Sequence, residues 1–190
     1  MASQDLSESS HRPIIFLHIP KTAGTTIRHL LSLGFGRDEV LDLDLTRPRE
    51  VELWQTLSGE TLRRYRLIAG HFRYDFIVAK VPQGRIFTFL RDPIERCLSL
   101  FPFLKERAAR GMLATPERNE LMRGISFEEF VFSDHELVQQ QRDNPHIRFL
   151  GGLPCPPERS PEEMLALAKQ RLAAMDFFGI VEQMPESISM

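Results

Sequence analysis

The sequence predicts a three-layer α/β domain in which helices flank a central parallel sheet, and three observations predict it. Short, near-continuous apolar runs recur at 14–18, 67–70 and 86–91, as in strands buried on both faces. The runs at 14–18 and 86–91 lead through charged turns into segments of helical period, which is the alternation of a parallel sheet. At 190 residues and 42% hydrophobic content, the chain is long enough to bury one such core.

Taken in order, residues 1–12 are polar, include Asp5 and Glu8 and contain no apolar run. They are expected to be a disordered N-terminus, neither a signal peptide nor a membrane anchor, and residues 13–190 a single domain. The strand at 14–18 runs through Lys21, Thr22, Ala23, Gly24, Thr25 and Thr26 into a helix at 25–33 that Gly34 and Gly36 close. Residues 38–45 alternate acidic and apolar side chains and read as a short strand. Thr46, Arg47 and Pro48 open a helix with Val51, Trp54 and Leu57 as its buried stripe. Pro93 opens another after the strand at 86–91. Residues 105–123 are charged and broken by Gly111 and Pro116; they read as a solvated helix end and loop, with acceptor binding the lesser reading. Ser126 with Glu129 and Ser160 with Glu163 match the capping box, in which cap and N3 side chains satisfy each other's orphan N–H groups. The second box opens a helix with Leu165, Ala168 and Leu172 on one face, and a last strand spans 176–182.

The turn at 21–26 suits an anion. A helix start presents unpaired N–H groups and a partial positive charge, Lys21 adds a full one, and Thr22, Thr25 and Thr26 add hydroxyls. Arg91, at the end of the strand at 86–91, offers a forked donor for phosphate; alone, Arg91-Asp92-Pro93 reads equally well as a surface turn with a local ion pair. The Walker pattern GxxxxGK[ST] places lysine after its last glycine, whereas Lys21 precedes Gly24, so that reading fails on order. A formal net charge of -2 argues against a general nucleic-acid binder. Cys97 and Cys155 show neither metal-ligand spacing nor a disulfide framework and read as free thiols. His, Cys, Asp and Glu form no cluster with metal-ligand spacing, so a metal-independent reaction is expected.

His18-Ile19-Pro20-Lys21-Thr22-Ala23-Gly24-Thr25-Thr26 resembles the 5′-phosphosulfate loop of sulfotransferases, nearest to the carbohydrate (2-O-type) branch and its bacterial relatives. The stretch 85–101 is similar to the family's 3′-phosphate motif, whose Arg and Ser carry over onto Arg91 and Ser99. The resemblance implies a P-loop-like three-layer fold, with 3′-phosphoadenosine 5′-phosphosulfate (PAPS) as donor, held by Lys21, Thr22, Ala23, Gly24, Thr25, Thr26, Arg91 and Ser99. It also implies transfer of the sulfuryl group by in-line displacement to a hydroxyl of a carbohydrate or small-molecule acceptor. In that chemistry Lys21 follows charge growing on the leaving oxygen, and His71, after Gly70 at a strand end, takes the acceptor's proton. The rival reading of His71 is a hydrogen-bonded structural histidine. His18 is expected to orient the loop, and His29, His135 and His146 to lie on the surface. Asp143 to Gly152 resemble a further family segment, Asn-x-x-x-Arg-x-Leu-x-Gly, in which Arg148 meets an anion or simply packs. Phe72, Arg73 and Tyr74 suit an acceptor cleft and a packed loop equally.

The Golgi relatives carry a membrane anchor that 1–12 does not resemble, so the expectation is a cytoplasmic enzyme without a membrane span. Relatives continue past the point matching Met190, so the domain is expected to be C-terminally short. Two rival functions remain on the sequence: a P-loop phosphotransferase, and a non-catalytic nucleotide-binding protein of the same fold.

Overall fold

Five parallel strands form the centre of the computed structural model, which describes residues 12–45, 47–152 and 160–189. The polar stretch 1–11, Thr46 of the expected helix start and Cys155 lie outside the described residues. The strands are β1 (Ile14–Leu17), β2 (Val40–Asp44), β3 (Leu67–His71), β4 (Arg85–Leu90) and β5 (Phe177–Ile180), in the order β2-β3-β1-β4-β5. In register, Leu17 lies between Gly70 and Thr88, and Asp44 opposite His71. Ile15, Phe16 and Leu17 are wholly buried, which explains why the central strand reads as an unbroken apolar run.

Helix α1 (Gly24–Ser32) leads from β1 toward β2, α2 (Pro48–Thr56) and α3 (Gly59–Arg63) from β2 to β3, and α4 (Tyr74–Lys80) from β3 to β4. Because alternate side chains of a strand point to opposite faces, two cores result. Ile15, Leu17, Ile68 and Ile86 pack with Trp54, Leu62, Ile77 and Val81. Phe16, Leu67, Ala69 and Phe89 pack with Ile27 of α1. Trp54 is buried, with Val51 and Leu57 partly so, as the sequence stripe requires.

The β4–β5 connection holds α5 (Pro93–Ala109), α6 (Pro116–Gly124), α7 (Phe127–Phe132), α8 (Glu136–Arg142), α9 (Pro145–Gly151) and α10 (Pro161–Ala173). Helices α5 to α8 build a third core from Leu100, Leu104, Ala108, Met122, Phe130 and Val138. Here the sequence reading of 105–123 is corrected. The segment is the end of one packed helix and most of another, and Lys105 Nζ donates to the carbonyls of Arg123 at 2.7 Å and Ile125 at 2.9 Å. A lysine whose charge is taken up by a helix C-terminus looks, in sequence, like a solvated one. The buried stripe of α10 is also corrected: Met164 and Ala168 are buried while Leu165 is 41% exposed. Ala168 and the partly buried Leu172 keep the expected face, and Met164 takes the place of Leu165 on it. Both capping boxes form, with Ser126 and Ser160 accepting from the N–H groups of Glu129 and Glu163. The last described helix is α11 (Met184–Ile188).

Candidate functional site

Beyond the carboxyl end of β1 the chain turns sharply. Lys21 has φ 70° and Ala23, the cap of α1, φ 57°. Two L-residues in the left-handed region, each disfavoured by roughly 1–2 kcal/mol, alternate with neighbours at negative φ, the backbone pattern that forms a concave run of N–H groups and in general suits anions. No side chain caps α1, so the N–H groups of its first turn are left without a capping side chain. Thr22 is different from its expected role as a hydroxyl donor: its side chain is buried and donates to the carbonyl of Ile19 at 2.8 Å. Its backbone N–H remains for the loop. Thr25 and Thr26 are exposed on the first turn. Gly24 is buried, and a Cβ there would lie 1.6 Å from His18 Nε2, so only glycine fits.

His18 therefore fills the space beneath the loop. Its ring is stacked on Phe16 at 5.3 Å and on His71 at 4.1 Å, and burial above all, then the charge of His71, push its pKa down to about 3. His71 Nδ1 lies 2.8 Å from the carbonyl oxygen of His18. A carbonyl only accepts, so Nδ1 carries the hydrogen, and the neutral ring leaves Nε2 with its lone pair. Burial holds His71 below the ordinary histidine value, opposed by that hydrogen bond and by Asp44. Asp44 pairs with Arg47 at 3.0 Å, and its N–H donates to Glu50; Arg28 of α1 pairs with Asp42 alongside.

On the other side of β1, Arg91 directly follows β4. Its Nη1 donates to the carbonyl of Lys21 at 3.4 Å, which ties the two cation-bearing turns together. Glu95 stands 3.6 Å and Glu182 3.7 Å from the guanidinium, yet Nε is buried with no hydrogen-bond partner. The Arg91 N–H donates to His146 Nε2 at 3.4 Å, so His146, expected on the surface, is partly buried behind the site. Its pKa is pushed down to about 4, by burial first and then by Arg96, against Glu182.

Helix α5 starts with Asp92 as cap, accepting from Ile94 N and Glu95 N at 2.8 and 3.0 Å, and with Pro93 in its first turn. Lys21 Nζ sits 4.2 Å above the ring of Phe103, and burial, then Arg91, lower its pKa against Glu106. Ser99 falls midway between Glu95 and Phe103 at successive spacings of four, so it shares the helix face that Arg91 and Lys21 touch. Arg96 was not singled out in the sequence. It is 2% exposed and donates to the carbonyls of Gln141 and Arg142 at 3.4 and 3.3 Å; its spacing of four from Leu100 and eight from Leu104 was the available signal.

Lys21, Arg91 and the face carrying Ser99 thus converge, and His71 joins them through His18. Arg148 pairs with Asp143. Phe72 is buried, Arg171 stacks over Tyr74 at 5.1 Å, and Arg73 lies 3.9 Å over Phe76, so Phe72 and Arg73 are packed between β3 and α4, which Tyr74 opens. Among the described residues no group of three or more His, Cys, Asp or Glu could hold a metal ion, and no helix is long and apolar enough to cross a membrane.

The sequence profile described as the sulfotransferase family matches residues 5–188. A protein-tyrosine sulfotransferase from Arabidopsis thaliana is 34% identical over 99 residues, which are 51% of this chain and 18% of that protein. The crystal structure of a mouse sulfotransferase complexed with PAP covers 94% of this chain and 54% of that one, at 14% identity and a TM-score of 0.47. The chain spans under a fifth of the length of the plant relative.

Proposed function

This chain belongs to the sulfotransferase family, and we propose that it transfers a sulfuryl group from PAPS to a hydroxyl of a carbohydrate or other small-molecule acceptor by in-line displacement. The observation that carries the proposal is the tie between the two cation-bearing turns, Arg91 Nη1 to the Lys21 carbonyl, beside an Arg91 Nε that is buried and unpaired. Two cations and a concave run of N–H groups fit a ligand with two anionic ends.

In this reading PAPS supplies the electrophilic sulfuryl group and the phosphate leaving group. The N–H groups of residues 22–26 hold its 5′ end, and Lys21 offsets charge on the leaving oxygen. Arg91 and Ser99 hold the 3′-phosphate. His71 accepts the acceptor's proton at Nε2, while its Nδ1–H, fixed on the His18 carbonyl, holds the ring in the tautomer that can do so. Metal independence and a cytoplasmic location belong to the same proposal. The plant relative is named for protein tyrosine, so a phenol-bearing peptide belongs in the acceptor screen.

Calorimetric titration with PAP, ATP and adenosine 5′-phosphate tests the reading. PAP should bind more tightly than adenosine 5′-phosphate, and Arg91→Ala should abolish that preference. Equal affinity for the two would sink the donor assignment, and magnesium-dependent ATP binding would favour the phosphotransferase.

A further inference from the structure

Glu182 covers two donors of the β4–α5 turn at once. Its carboxylate stands 3.7 Å from Arg91 Nε and accepts from the N–H of Asp92 at 3.3 Å. Its position is built into the fold. Glu182 lies in the 3-10 turn Val181–Gln183, and Ser187 of α11 accepts from the N–H of Ile180 at 3.1 Å just before that turn.

The pairing is nonetheless loose. Arg142 shows what a saturated guanidinium looks like in this protein: it donates to the carbonyls of Phe130 and Ser133 at 3.0 and 2.9 Å, and to Val131. Arg73 and Arg118 share with Arg91 a buried Nε that makes no hydrogen bond, and only Arg91 among these three faces two carboxylates at once. Arg91 keeps a buried Nε without a hydrogen bond, and its carboxylate neighbours stop at 3.6 and 3.7 Å. Desolvation has been incurred there without the hydrogen bonds that would offset it.

We propose that Glu182 is an internal competitor for the anion site at Arg91 and that it sets which anions the site accepts. A carboxylate brings one negative charge. A phosphate monoester brings about 1.5 to 2 at neutral pH and three acceptor oxygens, so it displaces Glu182 where a singly charged ester does not. The inference rests on the reading of Arg91 as the 3′-phosphate residue and adds a selectivity filter to it.

The test is calorimetric titration of PAP, adenosine 5′-phosphate and inorganic phosphate into the wild type, Glu182→Gln, Arg91→Ala and the double variant, with melting curves to verify folding. Glu182→Gln should tighten PAP by roughly tenfold, leave adenosine 5′-phosphate unchanged, and lose its effect in the Arg91→Ala background. PAP binding that is unchanged or weaker overturns the proposal, as does an equal gain for adenosine 5′-phosphate or a gain that survives without Arg91. If the wild type fails to prefer PAP over adenosine 5′-phosphate, the donor reading has failed. Inorganic phosphate then decides the competitor role: an Arg91-dependent gain in Glu182→Gln upholds it, and no gain overturns it. Should Glu182→Gln not fold, Glu182→Asp withdraws the carboxylate by one methylene and should move PAP affinity in the same direction.

Discussion

Gly24 is where a single atom decides the loop. A methyl group at this position has no room beside the His18 ring, which is itself stacked between Phe16 and His71. Gly24→Ala should therefore cost about 1–3 kcal/mol in stability and weaken PAP binding; a denaturant midpoint equal to wild type would contradict the packing argument. His71 gives a kinetic prediction. If Nε2 is the base, His71→Ala should lower kcat by about 10²–10⁴ while leaving PAP affinity near wild type, measured by turnover and calorimetry. Because burial depresses its pKa, the neutral, active form persists below the ordinary histidine value of 6.5. The acid limb of the rate profile should therefore fall on the acid side of pH 6.5 in wild type and vanish in the variant. Residue types, spacing and the family resemblance singled out Lys21, Gly24, His71 and Arg91, which the fold gathers at the carboxyl ends of β1, β3 and β4. They misplaced Thr22, read as a hydroxyl donor of the loop although its hydroxyl turns inward, and His146, read as a surface residue although it sits behind Arg91, since neither direction is encoded in the local pattern.

Among the elements, the helix ends explain where many cations go. Lys80 donates to the carbonyls of Trp54 and Leu57 after α2, Arg96 to the end of α8, Arg142 to the end of α7, and Arg171 to Leu150 in α9. Each satisfies carbonyls that the helix leaves orphaned and meets the negative end of its dipole. Lys105 does the same for the carbonyls of Arg123 and Ile125, 18 and 20 positions away, and partners so remote in sequence are why the charged stretch at 105–123 reads as solvated. Arg142→Met should cost about 1–3 kcal/mol, because it strands partly buried carbonyls. Arg64→Met, which removes only an exposed pair with Glu60, should stay within about 0.5 kcal/mol. Chemical denaturation of both variants checks the contrast, and equal effects would refute the capping argument. Helix starts were more legible than helix ends, because Ser126 and Ser160 find their capping partners three residues away.

Across the whole molecule, partly or fully buried neutral histidines should make folding acid-sensitive. The folded-state pKa values of His146 and His18, about 4 and about 3, lie below the unfolded value of about 6.5. Stability is thus fully present above pH 6.5 and is lost as pH falls from there toward the folded values, because only the unfolded chain takes up the protons. Each histidine contributes a slope of up to about 1.4 kcal/mol per pH unit in that window. Urea denaturation at intervals from pH 7 to pH 4 measures it; a flat profile would mean that these rings are already charged or exposed. The sequence by itself determined the parallel α/β architecture and the two turns that carry Lys21 and Arg91. Strand burial, turn chemistry and helix starts are all written within a few residues, and the two motifs at 18–26 and 85–101 each carry their own geometry. Tertiary structure alone decided that β1 and β4 lie side by side, so that Arg91 reaches the Lys21 carbonyl across 70 positions of chain. It also decided that His18 bridges Gly24 to His71, and that Glu182 arrives opposite Arg91 from the far end of the sequence. Those contacts depend on strand order and on the long helical connection between β4 and β5, and no local pattern of residues specifies either.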